Sequence, residues 1–366
     1  MRIAVFMILA ILLSGCGFVQ IATPVANWHE YADFTADPNF TGRLENYHSA
    51  VKTTPQIAEE LKVIHLEMFS DRTNSVFGTK SNAHEIASGI LIKYGGKPFV
   101  LSAGHIAINN RAREVHKIFA YFPPDCQSPP EEMEIVIIDN LFDFSLLRFK
   151  NESFKPPCDY AVLGFSSKLK RGEKVIALGS PLGIEHSISE GVVMNLDVGR
   201  QKKFRQPQLI FHSALANPGN SGGPLVNENG EVVAIIIGGI TNAPNAMSYA
   251  IPIDDIKNRL QHLKKCGIIP YPELKIHLWD SWLWNEWDFK THNFPNPDKA
   301  GIMIVDSKIG NLKIGDIILE CDGRKFENQQ KIWKYILIEK TPGDKINFKI
   351  YRYGQELIIS FVLQSP

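Results

Sequence analysis

An excess of charge of either sign is missing from this sequence of 366 residues, in which 39 Lys and Arg stand against 39 Asp and Glu. No long basic run breaks that balance, so the electrostatic footprint of a nucleic-acid-binding protein is absent and nucleic acid is excluded as a partner. Internal repeats and low-complexity tracts are lacking too. The length suits two domains plus extensions, since domains run about 100–200 residues, and an apolar content of 44% is ordinary for globular chains. The chain also lacks a long apolar run where one is first sought. The N-terminal stretch from Ile3 to Leu13 is too short to span a bilayer comfortably.

What the N-terminus does have is a signal pattern. "MRIAVFMILAILLSGCG" carries one positive charge at Arg2, then the apolar stretch, then small residues, as a secretory signal does. Its ending, "LSGC", resembles a bacterial lipobox. That resemblance implies cleavage before Cys16 and acylation of the Cys16 sulfur and new amino group, leaving residues 1–15 as a lipoprotein signal peptide. Several acyl chains hold a protein firmly on a membrane surface. The expected location is the bacterial cell envelope, exported and anchored on the periplasmic side. Gly17 is not an aspartate, and similarity to enterobacterial sorting then points away from the inner membrane. Export permits disulfides. Cys126 and Cys158 lie in Pro-rich stretches flanking one apolar segment and are expected to pair, whereas Cys266 at a helix end and Cys321 in a strand are expected to be free thiols.

The stretch "NPGNSGGPL", residues 217–225, surrounds Ser221 with residues that suit neither a helix nor a strand interior. Turn residues alone make a plain loop. Gly219, Gly222 and Gly223 together demand a sharp bend with close backbone approach. A nucleophilic serine needs that shape, with its hydroxyl standing clear and nearby N–H groups converging on a developing oxyanion. The N–H groups of Gly219 and Ser221 are the candidates for that oxyanion hole.

From about residue 62 to 252 the pattern is β. "ASGILIKYGGKPFVLSAGH" gives two apolar runs about Gly95-Gly96, a hairpin signature. Further strands are read in "KIFAYF", "EIVIID", "FSLLRF", "KVIALGS", "SEGVVMNL", "QLIFHSA" and "EVVAIIIGG". Many short strands between Gly, Pro and Asn turns make an all-β barrel or sandwich. "PIDDIKNRLQHLKKCG", with early acids, late lysines and a terminal Gly, reads as a closing helix. A Trp- and Pro-rich segment holding Trp279, Trp282, Trp284 and Trp287 follows, then a smaller β-rich domain with one helix, "NQQKIWKYILIEK".

A histidine and an acid complete the serine. His105 sits in "VLSAGHI" at a small-residue corner after an apolar run, and Asp143 heads the alternating strand "FDFSLLRF". Asp159 in "CDYAVLGF" is a competing acid with a similar local pattern. "SAGHI", "DFSLLRF" and "GNSGGPL", in the order His, Asp, Ser, resemble the chymotrypsin-like serine proteases. "LKRGEKVIALGSPLGIEHSISEGVV", "NPGNSGGPLVNENGEVVAI" and "SYAIPI" are similar to the HtrA/Deg branch, in which a PDZ domain follows. "GIMIVDS…LKIGDIILECDGRKF…TPGDKINFKIYRYGQELIISFVL" resembles such a domain.

The resemblance implies a mostly β chain: two six-stranded barrels with the site between them, then a small α+β PDZ-like domain. The implied division is a tether over 16–61, a protease domain over 62–266 and a PDZ-like domain over 270–366. His105 acts as general base, Asp143 fixes its tautomer, Ser221 is the nucleophile, and no metal or organic cofactor is required. Implied partners are polypeptide substrates and, through the anchor, a membrane, with a homotrimer as candidate assembly. The α/β-hydrolase alternative needs a G-x-S-x-G elbow and the order Ser, acid, His, and the chain has neither. The alternative from another class is an inactive protease fold that binds unfolded chains through its PDZ-like domain.

The same resemblance bears on specificity. The position six residues before the serine, where a trypsin-like pocket carries an acid, is Leu215, followed by Ala216, and Ile236 and Ile237 are expected to form a pocket wall. Cleavage after small or medium aliphatic residues follows. "PELKIHLWDSW" occupies the place of the carboxylate-capturing PDZ loop without a glycine. Lys275 and His277 are expected to crowd it, and the four tryptophans to fill space between the domains.

Overall fold

The computed structural model describes residues 51–73, 80–106, 113–139, 141–199, 208–240, 247–266, 272–283, 290 and 301–364. The signal segment and Cys16 lie outside the described residues, as do Trp284 and Trp287.

Two closed antiparallel barrels form the first two-thirds of the chain. The first contains β1 (Val63–Thr73), β2 (Lys80–Tyr94), β3 (Lys97–Ala103), β4 (Arg113–Tyr121), β5 (Glu131–Asp139) and β6 (Phe144–Phe149), in spatial order β1-β2-β3-β6-β5-β4. The second contains β7 (Lys174–Gly179), β8 (Ser187–Gly199), β9 (Gln208–His212), β10 (Pro224–Val226), β11 (Val232–Ile240) and β12 (Met247–Pro252). Its order, β10-β11-β12-β9-β8-β7, is the same winding repeated. Closure leaves no sheet edge exposed. The β2–β3 hairpin forms where the sequence places it. Tyr94 pairs with Lys97, and Gly95 and Gly96 both take positive φ, 56° and 79°, as the tightest hairpin turns require.

A short helix, α1 (Thr54–Glu60), precedes the first barrel with Thr53 and Gln56 as a capping box. Its Ile57 is buried, and the N–H of Lys52 donates to Glu228 O of the second barrel. After the second barrel, α2 (Ile253–Cys266) closes the pair, burying Ile256 and Leu260.

The remaining chain is a five-stranded antiparallel sheet, β13 (Ile276–Asp280), β14 (Ile302–Ser307), β15 (Ile317–Cys321), β16 (Lys345–Arg352) and β17 (Gln355–Val362), in that order, with α3 (Gln329–Glu339). No helix lies between β14 and β15. The first strand corrects the sequence reading. "KIHLWD" is an edge strand, with Ile276, Leu278 and Asp280 turned inward and His277 and Trp279 outward. Lys275 Nζ donates to Gln364 Oε1, and His277 Nδ1 lies 3.3 Å from Asp306 with its ring 73% exposed. Neither side chain crowds the inner face. Trp279 and Trp282 are 38% and 47% exposed, so these two are not the filling between domains. That filling is α3 itself. Ile332, Tyr335 and Ile336 belong to the core of the small sheet, while Leu337 and Ile338 join the core that the two barrels share with α2.

The expected disulfide joins Cys126 to Cys158, and Cys321 is a buried free thiol whose pKa burial raises to about 12.

Candidate active site

His105 follows β3 by two residues, and Asp143 immediately precedes β6; these strands are neighbours, so the two corners meet. The imidazole Nδ1 lies 3.0 Å and 3.1 Å from the two carboxylate oxygens of Asp143. The His105 backbone N–H donates to Asp143 Oδ1 at 2.6 Å, and the Gly104 N–H to Asp143 O at 2.8 Å. A Cβ on Gly104 would stand 2.9 Å from backbone atoms of Asp143 and Phe144, so only glycine allows this approach. Asp143 has φ 57°, a left-handed conformation that Asp tolerates better than most residues. Its competitor Asp159 is exposed beside the Cys126–Cys158 bridge, away from any histidine contact.

Burial of His105 disfavours its charged form, but the hydrogen bond and the charge of Asp143 outweigh it, and the pKa lies above the ordinary histidine value. One ring nitrogen is thereby committed to the acid. The other is left for chemistry.

The serine loop is fixed from both barrels. Ser88 of β2 is fully buried and makes most of the connections. Its N–H donates to Ser221 O (2.9 Å), its Oγ donates to Gly219 O (2.7 Å), and the same Oγ accepts the Ser180 N–H (3.0 Å). Its carbonyl accepts the Ser102 hydroxyl at 2.6 Å, three residues before His105. A Cβ on Gly222 would collide with that Ser102 Oγ at 2.0 Å and with Ser88 O at 2.1 Å. The bend at Gly222 therefore brings the serine segment hard against the strands that end at His105.

On the other side of the loop, Leu182 N–H donates to Pro218 O at 2.8 Å, and Gly222 N–H to Ile236 O at 2.7 Å. The carbonyls on both sides of Gly219 are thus occupied, which sets its peptide planes. Asn220, Gly222 and Gly223 donate their N–H groups within the protein, while the N–H groups of Gly219 and Ser221 have no acceptor among the described residues. Gly219 is buried and has φ 102°, a conformation that favours glycine. Buried donors left without partners are rare in native proteins. The two here lie on either side of Asn220, with Ser221 itself half-buried, and make this loop the candidate for accepting an anion.

The expected specificity residues separate on inspection. Leu215 is 49% exposed, with its N–H on Ser189 Oγ. Ala216 is buried and donates to Ser248 Oγ. Ile236 and Ile237 have side chains 0% and 6% exposed in two different cores, which takes them out of any open wall; Ile236 contributes its backbone to the serine loop instead. The accessible surface next to them is the Gly238–Gly239 backbone. Tyr249 lies over it, since a Cβ on Gly238 would meet Tyr249 Oη at 2.7 Å. Sequence reasoning missed Tyr249 and Ser88. A serine within the apolar run "ASGILI" is the one signal that pointed to the latter.

With this geometry in place, the comparisons have a clear meaning. Residues 87–235 match the trypsin-like peptidase domain and residues 298–361 match the PDZ domain. The class is a two-barrel, trypsin-like peptidase domain followed by a PDZ domain. Among curated proteins the chain is similar to a "Serine protease HtrA-like" of Staphylococcus epidermidis, 26% identical over 351 residues, covering 91% of this chain and 58% of the relative. A protein of the same description from Staphylococcus aureus is 25% identical over 344 residues, covering 89% of this chain and 42% of the relative. The chain thus spans about half the length of the curated relatives it matches. Among solved structures, "HtrA-type protease AlgW with decapeptide" superposes with a TM-score of 0.64 at 18% identity, covering 83% of this chain and 95% of that one. A serine endoprotease from Yersinia pestis gives 0.57 at 19% identity, covering 87% and 100%. The chain is similar to these HtrA-type proteins in its two domains and in their order.

Proposed function

We propose that this chain is a serine endopeptidase that cleaves unfolded or damaged polypeptides in the bacterial cell envelope. The observation that carries the reading is the convergence of three features: the His105–Asp143 pair, the serine bend pinned against it, and two free N–H groups flanking Asn220. In this reading Ser221 Oγ attacks the scissile carbonyl carbon and its proton passes to His105 Nε2. The imidazolium is stabilised by Asp143 through Nδ1. The carbonyl oxygen, now negative, accepts hydrogen bonds from the N–H groups of Gly219 and Ser221. Collapse breaks the C–N bond, and His105 returns the proton to the leaving amine. Water then attacks the acyl-enzyme with His105 again as base, and Ser221 is regenerated as the N-terminal half leaves with a new carboxylic acid at its end.

Similarity to HtrA-type structures bearing peptides supports polypeptide as the substrate class. Leu215 in place of an acid, with Tyr249 over the glycine backbone, supports cleavage after small or medium aliphatic residues. An apolar pocket sorts such side chains by only about 1–3 kcal/mol per methylene, so the preference is broad. Acylation at Cys16 and export supply the membrane attachment, and a homotrimer is the proposed assembly.

The test is incubation of the full chain with casein, comparing wild type and Ser221→Ala, with the products sequenced by mass spectrometry. Wild type should cleave after aliphatic residues and Ser221→Ala should not cleave. Equal cleavage by both would remove the proposal, and cuts mainly after Lys or Arg would remove its specificity.

A further inference from the structure

Among the described residues Arg259 of α2 is the largest fully buried side chain, and its charge is placed where the apolar cores of two domains meet. Its Nε donates to Asp139 Oδ2 at 3.0 Å, with both side chains 0% exposed. Its Nη1 donates to the carbonyl of Leu337 in α3 at 2.9 Å. Its guanidinium lies over the Phe142 ring, 5.2 Å from the centroid. A buried ion pair is weak as a source of stability, because desolvating both charges offsets their attraction. Its value here lies in what Asp139 does next.

Asp139 ends β5 and pairs across the turn with Phe144, which starts β6. The connection between them carries Asp143. Asp139 Oδ1 accepts the N–H groups of Leu141 (3.0 Å) and Phe142 (2.9 Å), an Asx turn that sets the course of the backbone into Asp143. Asp143 has the left-handed φ of 57° that its surroundings must hold. The carboxylate that orients His105 is thus delivered by a turn whose organising carboxylate is itself oriented by Arg259. The other charged groups at this junction are engaged elsewhere: Lys334 of α3 with Asp255 at 2.8 Å, and Lys257 with Asp254 at 2.9 Å.

We infer that Arg259 is a positioning residue for the Asp143–His105 pair, linking α3 of the PDZ domain through Asp139 to the turn that carries the acid. Its effect on turnover rests on the protease reading above; its effect on the His105 ring does not. In this arrangement the docked PDZ helix is a structural support of the peptidase site, because Leu337 O fixes the far end of the guanidinium.

The experiment uses the full chain in wild-type, Arg259→Met, Arg259→Lys and Asp139→Asn forms. The histidine rings are isotopically labelled and the His105 titration is followed by NMR. Loosening Asp143 removes part of what raises the His105 pKa, so Arg259→Met and Asp139→Asn should lower it by on the order of half a unit to one unit. Arg259→Lys keeps the charge but not the two-ended fork, and should fall between. On casein, misplacement of the acid should lower kcat per active site by about 10–100-fold with KM little changed, active sites being counted with a fluorophosphonate probe. A structural role alone would reduce the count and leave the titration and the per-site kcat unmoved. If Arg259→Met does not fold, Asp139→Asn, which keeps shape and turn acceptor, decides the matter. A His105 titration identical to wild type in the folded variants overturns the inference. If wild type shows no Ser221-dependent cleavage, the protease reading fails, and the titration still decides the role of Arg259.

Discussion

At the scale of single residues, the chain's chemistry rests on how one imidazole is held. Burial opposes charge on His105, and Asp143 reverses the outcome through a hydrogen bond and its charge. The proposed reaction needs His105 neutral as base, so activity should rise with pH through a value above the ordinary histidine pKa of about 6.5. Asp143→Asn removes both influences that raise the pKa and leaves burial, which lowers it. The acid limb of kcat/KM should then move below its wild-type position, while kcat falls on the order of 10⁴-fold because the wrong tautomer is favoured. A pH–rate series on a peptide substrate measures both; an acid limb unmoved by Asp143→Asn would separate Asp143 from His105. The three candidate residues were legible from different local signals: His105 from a small-residue corner at a strand end, Asp143 from its place at the head of an alternating strand, and Ser221 from a glycine-rich bend. Ser88 was not legible as a connector. Its role depends on an N–H and a hydroxyl that meet a loop more than a hundred residues away, and the local pattern shows only a serine in an apolar run. Arg259 was hidden for a related reason. On a helix with two lysines near its end it reads as one more cation at the helix C-terminus.

At the scale of elements, the sequence was most informative where turn chemistry is strict. Gly95-Gly96 fixed the β2–β3 hairpin, whereas the three-residue strand Pro224–Val226 is too short for its pattern to stand out. It was least informative at β13, because tryptophans and prolines on both sides mask a five-residue alternation. The correction changes the reason for doubting a carboxylate-capturing groove but not the expectation. Lys275 and His277 point away from the inner face. The stronger argument is backbone geometry. Concave clusters of N–H groups that hold an anion require a residue in the left-handed region next to one in the helical region. No described residue from 272 to 280 has positive φ. Among the described residues β13 nevertheless is a sheet edge, paired with β14 alone, and an extended peptide can add to such an edge through its backbone. Peptides binding the full-length Ser221→Ala chain should therefore bind equally well with a free or an amidated C-terminus in a fluorescence titration. Loss of binding on amidation would show that a carboxylate site forms after all.

At the scale of the whole molecule, α3 decides whether the two domains behave as one. It is a short amphipathic helix asked to serve two cores. One face carries Ile332, Tyr335 and Ile336 into the small sheet, and the C-terminal turn carries Leu337 and Ile338 into the core shared by the barrels and α2. One ion pair, Lys334 with Asp255, and one hydrogen bond, from Arg259 to Leu337 O, border that apolar junction. Domains joined by small polar surfaces move and melt independently. Here the junction is continuous with the barrel core, so separation exposes apolar side chains and the buried Arg259–Asp139 pair together. Heating the full chain should give a single cooperative calorimetric transition. Leu337→Asp places an unpaired carboxylate where Leu337 is 7% exposed, at a cost of several kcal/mol. The small sheet keeps its own core of Ile304, Ile336, Phe348 and Ile350, so this change should uncouple the domains and split the endotherm in two. Two separate transitions in the wild-type chain would mean that α3 docks too weakly to couple them, and the peptidase site would then stand without the PDZ domain behind it.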